Sequence, residues 1–279
     1  MDILTVDYND RHAGDKFVTS LHKTGFAVIK NHPINYALVQ KIFSEWREFF
    51  ATEQKFNYPY DKKRGDGYVG TSLSETAKGS DNPDVKEFYQ IYRPWGRYPT
   101  ELAETTLLYF DQIYKLAHHL LTWIDKFTPT IIHMGFSEPL VKMASLEQTM
   151  LRILHYPPFS GQEQANQVRA AAHEDINLIT LLPASNAMGL QVKTKKNTWL
   201  DVGTNEGEII INVGDMLQEC SNGYYVSTTH RVVNPGSNNT SRYSMPLFVH
   251  PRADVHLSDK YKRAEHYLHE RLAELGLRE

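Results

Sequence analysis

The chain has little of what would mark it as secreted, membrane-bound or nucleic-acid binding. Cys220 is the only cysteine among 279 residues, so no disulfide can form within the chain, and a reducing cytoplasm is expected. The 30 basic and 33 acidic side chains nearly cancel, and a net charge of −3 predicts neither nucleic acid nor a membrane surface as partner. No apolar run of about 18 residues is present, and residues after Met1 lack a basic and then apolar pattern, so we expect neither a membrane span nor a secretion signal.

The most informative stretch begins at His173 and continues into the apolar run Ile176–Leu182, whose composition predicts a buried strand. If the strand begins near His173, then His173 and Asp175 face the same way and Glu174 points away, because side chains alternate. His230, 55 positions after Asp175 (230 − 175), can supply a third ligand. Two histidines and one carboxylate on one side of an ion form the facial triad of non-haem Fe(II) oxygenases.

Short motifs follow this stretch and carry a resemblance to a known family. They are Gly189–Val192, Trp199, Ile211–Asp215, Leu217 with Gln218, Ser221–Gly223, His230–Val232 and Arg242–Ser244. With His173–Asp175 they cover residues 173–244 in an order that resembles the iron-dependent, mostly 2-oxoglutarate-dependent oxygenases related to isopenicillin N synthase. The resemblance implies that His173, Asp175 and His230 are the catalytic iron ligands. It also implies 2-oxoglutarate and O₂ as co-substrates, with ascorbate as a reductant.

The resemblance further implies a co-substrate site at Arg242, Ser244 and Tyr156. Arg242 and Ser244 lie two apart on a predicted strand and face inward together, and the planar guanidinium of Arg242 suits the distal carboxylate of 2-oxoglutarate. Tyr156 is expected to touch the iron-proximal end of the co-substrate. Relatives commonly carry Asn two positions before this Tyr, whereas this chain has Leu154, which removes one hydrogen-bond donor.

The predicted reaction converts 2-oxoglutarate to succinate and CO₂ while a small organic substrate is oxidised, most simply by hydroxylation. Desaturation and ring closure share the early steps and stay open. Three other functions remain: a 2-oxoglutarate-independent Fe(II) oxidase of the same fold, a hydrolytic zinc enzyme, and a non-catalytic jelly roll that binds a metal or a small molecule. Arg169 and Tyr68 are candidates for lining the substrate pocket. The sequence does not indicate whether the chain is a monomer or an oligomer.

The expected fold is α+β, with helices packed around a double-stranded β-helix (jelly roll) and an N-terminal α/β extension. Apolar spacing of three and four predicts long helices. The polar stretch 60–85 is interpreted as a rim or lid over the site. The charges of Lys86 and Glu87 are interpreted as a solvated face, with substrate contact as the alternative. The expected regions of one integrated unit are 1–145, the catalytic core 146–250 and a C-terminal helical part 251–279, and the predicted helices span 12–24, 35–50, 100–126 and 258–276.

Overall fold

A computed structural model describes residues 2–71, 84–161, 168–185, 187–203, 205–233 and 239–274, and it has the predicted α+β composition. The α-helices are α1 (Ala13–Thr24), α2 (Tyr36–Ala51), α3 (Thr100–Phe127), α4 (Thr130–His133), α5 (Leu140–Met143), α6 (Asp215–Cys220) and α7 (Ala264–Glu274). The strands are β1 (Thr5–Asp7), β2 (Phe26–Lys30), β3 (Gly67–Val69), β4 (Glu87–Tyr92), β5 (Met150–Tyr156), β6 (Ala170–His173), β7 (Ile179–Pro183), β8 (Leu190–Lys193), β9 (Trp199–Asp201), β10 (Ile209–Val213), β11 (His230–Val232), β12 (Arg242–Ser244) and β13 (Leu247–Val249). No helix in the described ranges is long and apolar enough to cross a membrane.

The strands form two sheets that enclose apolar side chains between them. The larger sheet runs β1-β2-β10-β7-β13-β5-β4-β3, with β12 also paired to β5, and the smaller sheet runs β6-β11-β8-β9. One buried cluster joins Leu154 and Tyr156 of the larger sheet to Ala170 and Val232 of the smaller one. This is the two-sheet arrangement expected of a jelly roll.

The long helices cover the other face of the larger sheet, as their apolar spacing predicts. Helix α3 buries a stripe that includes Phe110, Ile113 and Leu120 in the main core. Trp46 of α2 is fully buried and donates a hydrogen bond of 3.0 Å from Nε1 to the hydroxyl of Thr106 on α3. An indole N–H needs such a partner when it is buried, so this bond fixes α2 against α3.

The predicted single strand from His173 to Leu182 is wrong. It consists of β6, which ends at His173 in the smaller sheet, and β7, which begins at Ile179 in the larger sheet. Asp175 lies in the crossing between them, so alternation along one strand does not explain why it meets His173. The buried, apolar composition of the run is correct, but composition does not reveal where a chain leaves one sheet for another.

Two other boundaries differ from the expectation. The strand predicted to carry Arg242 and Ser244 ends at Ser244, and β13 begins only after Met245 and Pro246, because proline has no backbone N–H to donate within a sheet. The C-terminal helix begins at Ala264 rather than at residue 258. Residues 72–83 of the expected rim lie outside the described residues, so the lid remains a prediction, as does the division into three regions.

Candidate metal centre

His173, Asp175 and His230 meet at one point, at the end of β6 and the start of β11. The three side chains each offer a ligand atom, and these atoms all lie within 4.8 Å of one another. Oδ1 of Asp175 is 3.8 Å from Nε2 of His173 and 3.7 Å from Nε2 of His230. Twice a typical metal–nitrogen bond is about 4.2 Å, so one ion can bridge the carboxylate and each imidazole.

Both histidines are held with the same nitrogen facing the centre. Nδ1 of His173 is 2.8 Å from the carbonyl oxygen of Ala171, and Nδ1 of His230 is 3.1 Å from that of Thr228. A carbonyl only accepts, so each Nδ1 carries the hydrogen, and each Nε2 presents its lone pair. Metal-binding histidines are oriented in this way in general. His230 and His173 are direct partners across β11 and β6, which sets their separation.

Asp175 is the most tightly fixed of the three. Its Oδ2 accepts a hydrogen bond of 2.5 Å from the hydroxyl of Thr180 and one of 2.8 Å from Nδ2 of Asn212, so Oδ1 remains for an ion. Burial raises the pKa of Asp175, but the two imidazoles and these two hydrogen bonds outweigh burial and hold the pKa below its ordinary value. The carboxylate is therefore ionised, as a metal ligand must be.

Backbone contacts hold the crossing that carries Asp175. The N–H of Asp215, in the first turn of α6, donates a 2.7 Å hydrogen bond to the carbonyl of Asp175, and the N–H of Gly214 donates to Leu178. The side chain of Asn177 donates to the hydroxyl of Thr180 at 2.9 Å. Between β6 and β7, where no sheet partner is available, these bonds satisfy polar groups that would otherwise be buried without partners.

Arg242 and Ser244 lie on β12, both buried, at 2% and 3% exposure. Arg242 is the direct partner of Tyr156 on β5; its guanidinium carbon lies 5.3 Å from the centre of the Tyr156 ring, and its Nε donates a 3.3 Å hydrogen bond to the carbonyl oxygen of Ala187. Nη1 of Arg242 is buried with no hydrogen-bond partner among the described residues. A buried guanidinium with an unused donor fits a carboxylate supplied by a ligand.

Several predicted residues lie elsewhere. Glu174 is exposed and accepts a hydrogen bond from the hydroxyl of Thr229, outside the group formed by His173, Asp175 and His230. Tyr68 packs in the main core and donates a hydrogen bond to Glu87, and its part in lining the substrate pocket stays a prediction. The solvated face predicted for Lys86 and Glu87 is wrong, because both are only 6% exposed.

These buried charges are paired. Lys86 forms a 2.8 Å ion pair with Asp84, and Glu87 contacts Lys55 at 3.0 Å and Nδ1 of His155 at 2.7 Å.

The sequence alone predicted no role for Asn212 or Thr180 at the metal centre. The one available signal was an amide in the otherwise apolar run Ile209–Val213, since a buried amide needs a specific partner.

Comparison with known proteins identifies the family. The model of the 2OG-Fe(II) oxygenase superfamily matches residues 147–251, and that of the N-terminal region of the non-haem dioxygenase in morphine synthesis matches residues 3–109. A crystal structure from Shewanella oneidensis, described as an oxygenase, shares 47% sequence identity, covers 99% of both chains and has a TM-score of 0.89. The chain belongs to the 2-oxoglutarate–Fe(II) oxygenase superfamily.

More distant relatives support the same family assignment. A full-length protein of Neurospora crassa, solved with alpha-KG (2-oxoglutarate) and also with thymine, shares 26% identity in the first structure, covers 96% of this chain and 95% of its own, and has a TM-score of 0.79. Flavonol synthase 3 of Arabidopsis thaliana is 27% identical over 271 residues, which are 91% of this chain and 84% of the synthase. This oxygenase is therefore an oxidoreductase that uses Fe(II) and 2-oxoglutarate, as predicted, and the three other functions are not favoured.

Proposed function

We propose that His173, Asp175 and His230 bind the Fe(II) ion with which this oxygenase oxidises a small organic substrate, most simply by hydroxylation. The observation that carries the proposal is the use of the remaining polar atoms. Both Nδ1 atoms and Oδ2 of Asp175 already have partners, so three ligand atoms are left to face one point. Iron held by these three residues would supply the activation of O₂ and would bind the keto acid.

Arg242 and Ser244 are proposed to hold the distal carboxylate of 2-oxoglutarate. The contact between Tyr156 and Arg242 supports a role for Tyr156 at this distal end rather than at the iron-proximal end expected from the sequence. Ser244 is the direct partner of Leu154 across the strand pair, a position where the leucine offers no hydrogen-bond donor. The site orients the co-substrate and excludes water from the reaction.

The proposed substrate is a small organic molecule. The relative from Neurospora, which is solved with thymine, supports this size class, although its substrate is not transferred to this chain. Hydroxylation is the simplest outcome of hydrogen abstraction from such a substrate, and product analysis distinguishes it from desaturation or ring closure.

The test is anaerobic titration with Fe(II), followed by an assay for succinate formed from 2-oxoglutarate with O₂ and ascorbate. We expect one Fe(II) per chain and slow succinate formation without substrate. His173→Ala and Asp175→Ala should lose tight iron binding, whereas His256→Ala, at an exposed position, should not. Full metal occupancy in both ligand variants would overturn the assignment. Iron binding without succinate or a keto-acid absorption band would favour the 2-oxoglutarate-independent oxidase.

A further inference from the structure

Arg169 is a completely buried arginine that the site described above does not use. Its side chain is 0% exposed, and it immediately precedes β6, the strand that carries His173. Nη2 donates to the carbonyl oxygen of Thr240, but Nε and Nη1 have no hydrogen-bond partner among the described residues. Burying a cation without partners is costly, so a guanidinium with two unused donors requires an explanation.

The second cation of this region is Arg242, which lies two residues after the carbonyl that Arg169 contacts. Burial lowers the pKa of Arg169, and the positive charge of Arg242 lowers it further, while Tyr156 opposes both. No carboxylate in the described ranges is among the groups that act on either guanidinium. Two buried guanidiniums thus lie in one region, one bonded to Thr240 and the other two residues further along the chain, and no acidic side chain of the described residues pairs with either.

We propose, resting on the proposed function, that Arg169 and Arg242 together form the site for the distal carboxylate of 2-oxoglutarate. An anion between two guanidiniums removes their repulsion and takes up the unused N–H groups of both. Charge-assisted hydrogen bonds of this kind are the strong ones. Leu154 lies opposite Ser244 and lacks the hydrogen-bond donor that relatives commonly have at this position. Arg169, next to the smaller sheet, would supply donors in its place.

If Arg169 binds the co-substrate, its replacement should lower the affinity for 2-oxoglutarate without lowering the thermal stability of the protein. Replacement of an arginine with a purely structural role would lower the stability. Arg169→Met keeps most of the side-chain volume and removes an uncompensated buried charge. Without keto acid, this variant should melt at the same temperature as the wild type or higher. The rise in melting temperature that 2-oxoglutarate gives the wild type should shrink, because ligand stabilisation follows affinity.

The closing experiment is an anaerobic titration of the Fe(II) protein with two keto acids, monitored by the visible absorption of the iron–keto acid complex. 2-Oxoglutarate carries the distal carboxylate and 2-oxobutyrate lacks it. Arg169→Met should weaken 2-oxoglutarate binding by about tenfold or more and leave 2-oxobutyrate binding within about twofold. The affinity of Arg169→Lys for 2-oxoglutarate should lie between those of the wild type and Arg169→Met, since lysine keeps the charge but not the planar guanidinium.

The matched control is Arg231→Met, because Arg231 lies on the adjacent strand β11, stacks on Trp199 and bonds to Gln191 outside the site. It should change neither affinity. Wild-type affinity for 2-oxoglutarate in Arg169→Met, or an equal loss for both keto acids in Arg169→Met and Arg169→Lys, would overturn the assignment. A wild-type protein that forms no keto-acid complex would instead refute the proposed function, so the two failures are distinguishable.

Discussion

Asn212 of β10 and Thr180 of β7 are direct partners across the larger sheet, and both donate to the same oxygen of Asp175. The hydrogen bonds to Oδ2 measure 2.8 Å from Asn212 and 2.5 Å from Thr180. The carboxylate thus cannot rotate without losing two buried bonds. Two strands of the larger sheet thereby orient the ligand that lies between the sheets, and His173 and His230 of the smaller sheet complete the centre.

Removal of this support should weaken the metal site without removing a ligand. Asn212→Leu and Thr180→Val each delete one donor at nearly constant volume, and each should reduce Fe(II) affinity by about 10- to 100-fold. Anaerobic Fe(II) titration measures the effect. Asn205→Ala is the control, because Asn205 bonds to Glu208 away from the centre. Wild-type iron affinity in both variants would show that Asp175 is oriented by other contacts.

Arg242 should determine affinity for the co-substrate and not for the metal. Arg242→Ala removes the buried guanidinium proposed to bind the distal carboxylate and should weaken 2-oxoglutarate binding by about a hundredfold or more. Arg242→Lys should recover little, because an ammonium group cannot reproduce the planar fork. The absorption of the anaerobic Fe(II)–keto acid complex gives the affinity, and iron titration alone should be nearly unchanged. An equal loss of iron binding would point to unfolding instead.

Gly214 should be intolerant of any side chain. A Cβ at this position would lie 2.2 Å from both the backbone and the side-chain oxygen of Asn177, which supports Thr180. Gly214→Ala should therefore lower the free energy of unfolding by about 1–3 kcal/mol and also weaken Fe(II) binding. Urea unfolding of the metal-free protein measures the first effect. Gly203→Ala is the control, because the nearest atom to its Cβ is 3.9 Å away; equal losses in both variants would contradict the steric argument.

The buried Glu87 should contribute to acid sensitivity. Burial raises its pKa, but hydrogen bonds from His155, Tyr68 and Lys55 outweigh burial, so the pKa lies below the ordinary 4.5. A carboxyl group with a lowered folded-state pKa stabilises the protein above its unfolded-state pKa, and this contribution is lost as the pH falls through the folded-state value.

Glu87→Gln should therefore melt at a lower temperature than the wild type at neutral pH, and the difference should narrow as the pH falls below about 4.5. Melting curves by circular dichroism between neutral and acidic pH measure this. The exposed Glu48→Gln should follow the wild type throughout. A constant difference between Glu87→Gln and the wild type at every pH would show that ionisation of Glu87 does not affect stability.

Sequence alone was sufficient for the parts of the molecule in which the signal is local. Apolar spacing placed α1, α2 and α3 to within one or two residues, because each helix buries one continuous stripe. His173, Asp175 and His230 were recognisable as candidate ligands because the motifs around them follow the order of a known family. Arg242 with Ser244 was recognisable for the same reason, although their part in binding remains a proposal.

Only the tertiary structure decided how these residues meet. The sequence could not show that β6 and β7 belong to different sheets, since a buried strand has the same composition in either. It could not reveal that Asn212 and Thr180 share an oxygen of Asp175, or that Arg169 lies near Arg242, because register and sheet order connect positions far apart in the chain. The local hydrophobic pattern indicates whether a side chain is buried. The pairing of strands that are distant in the sequence determines which residues it contacts.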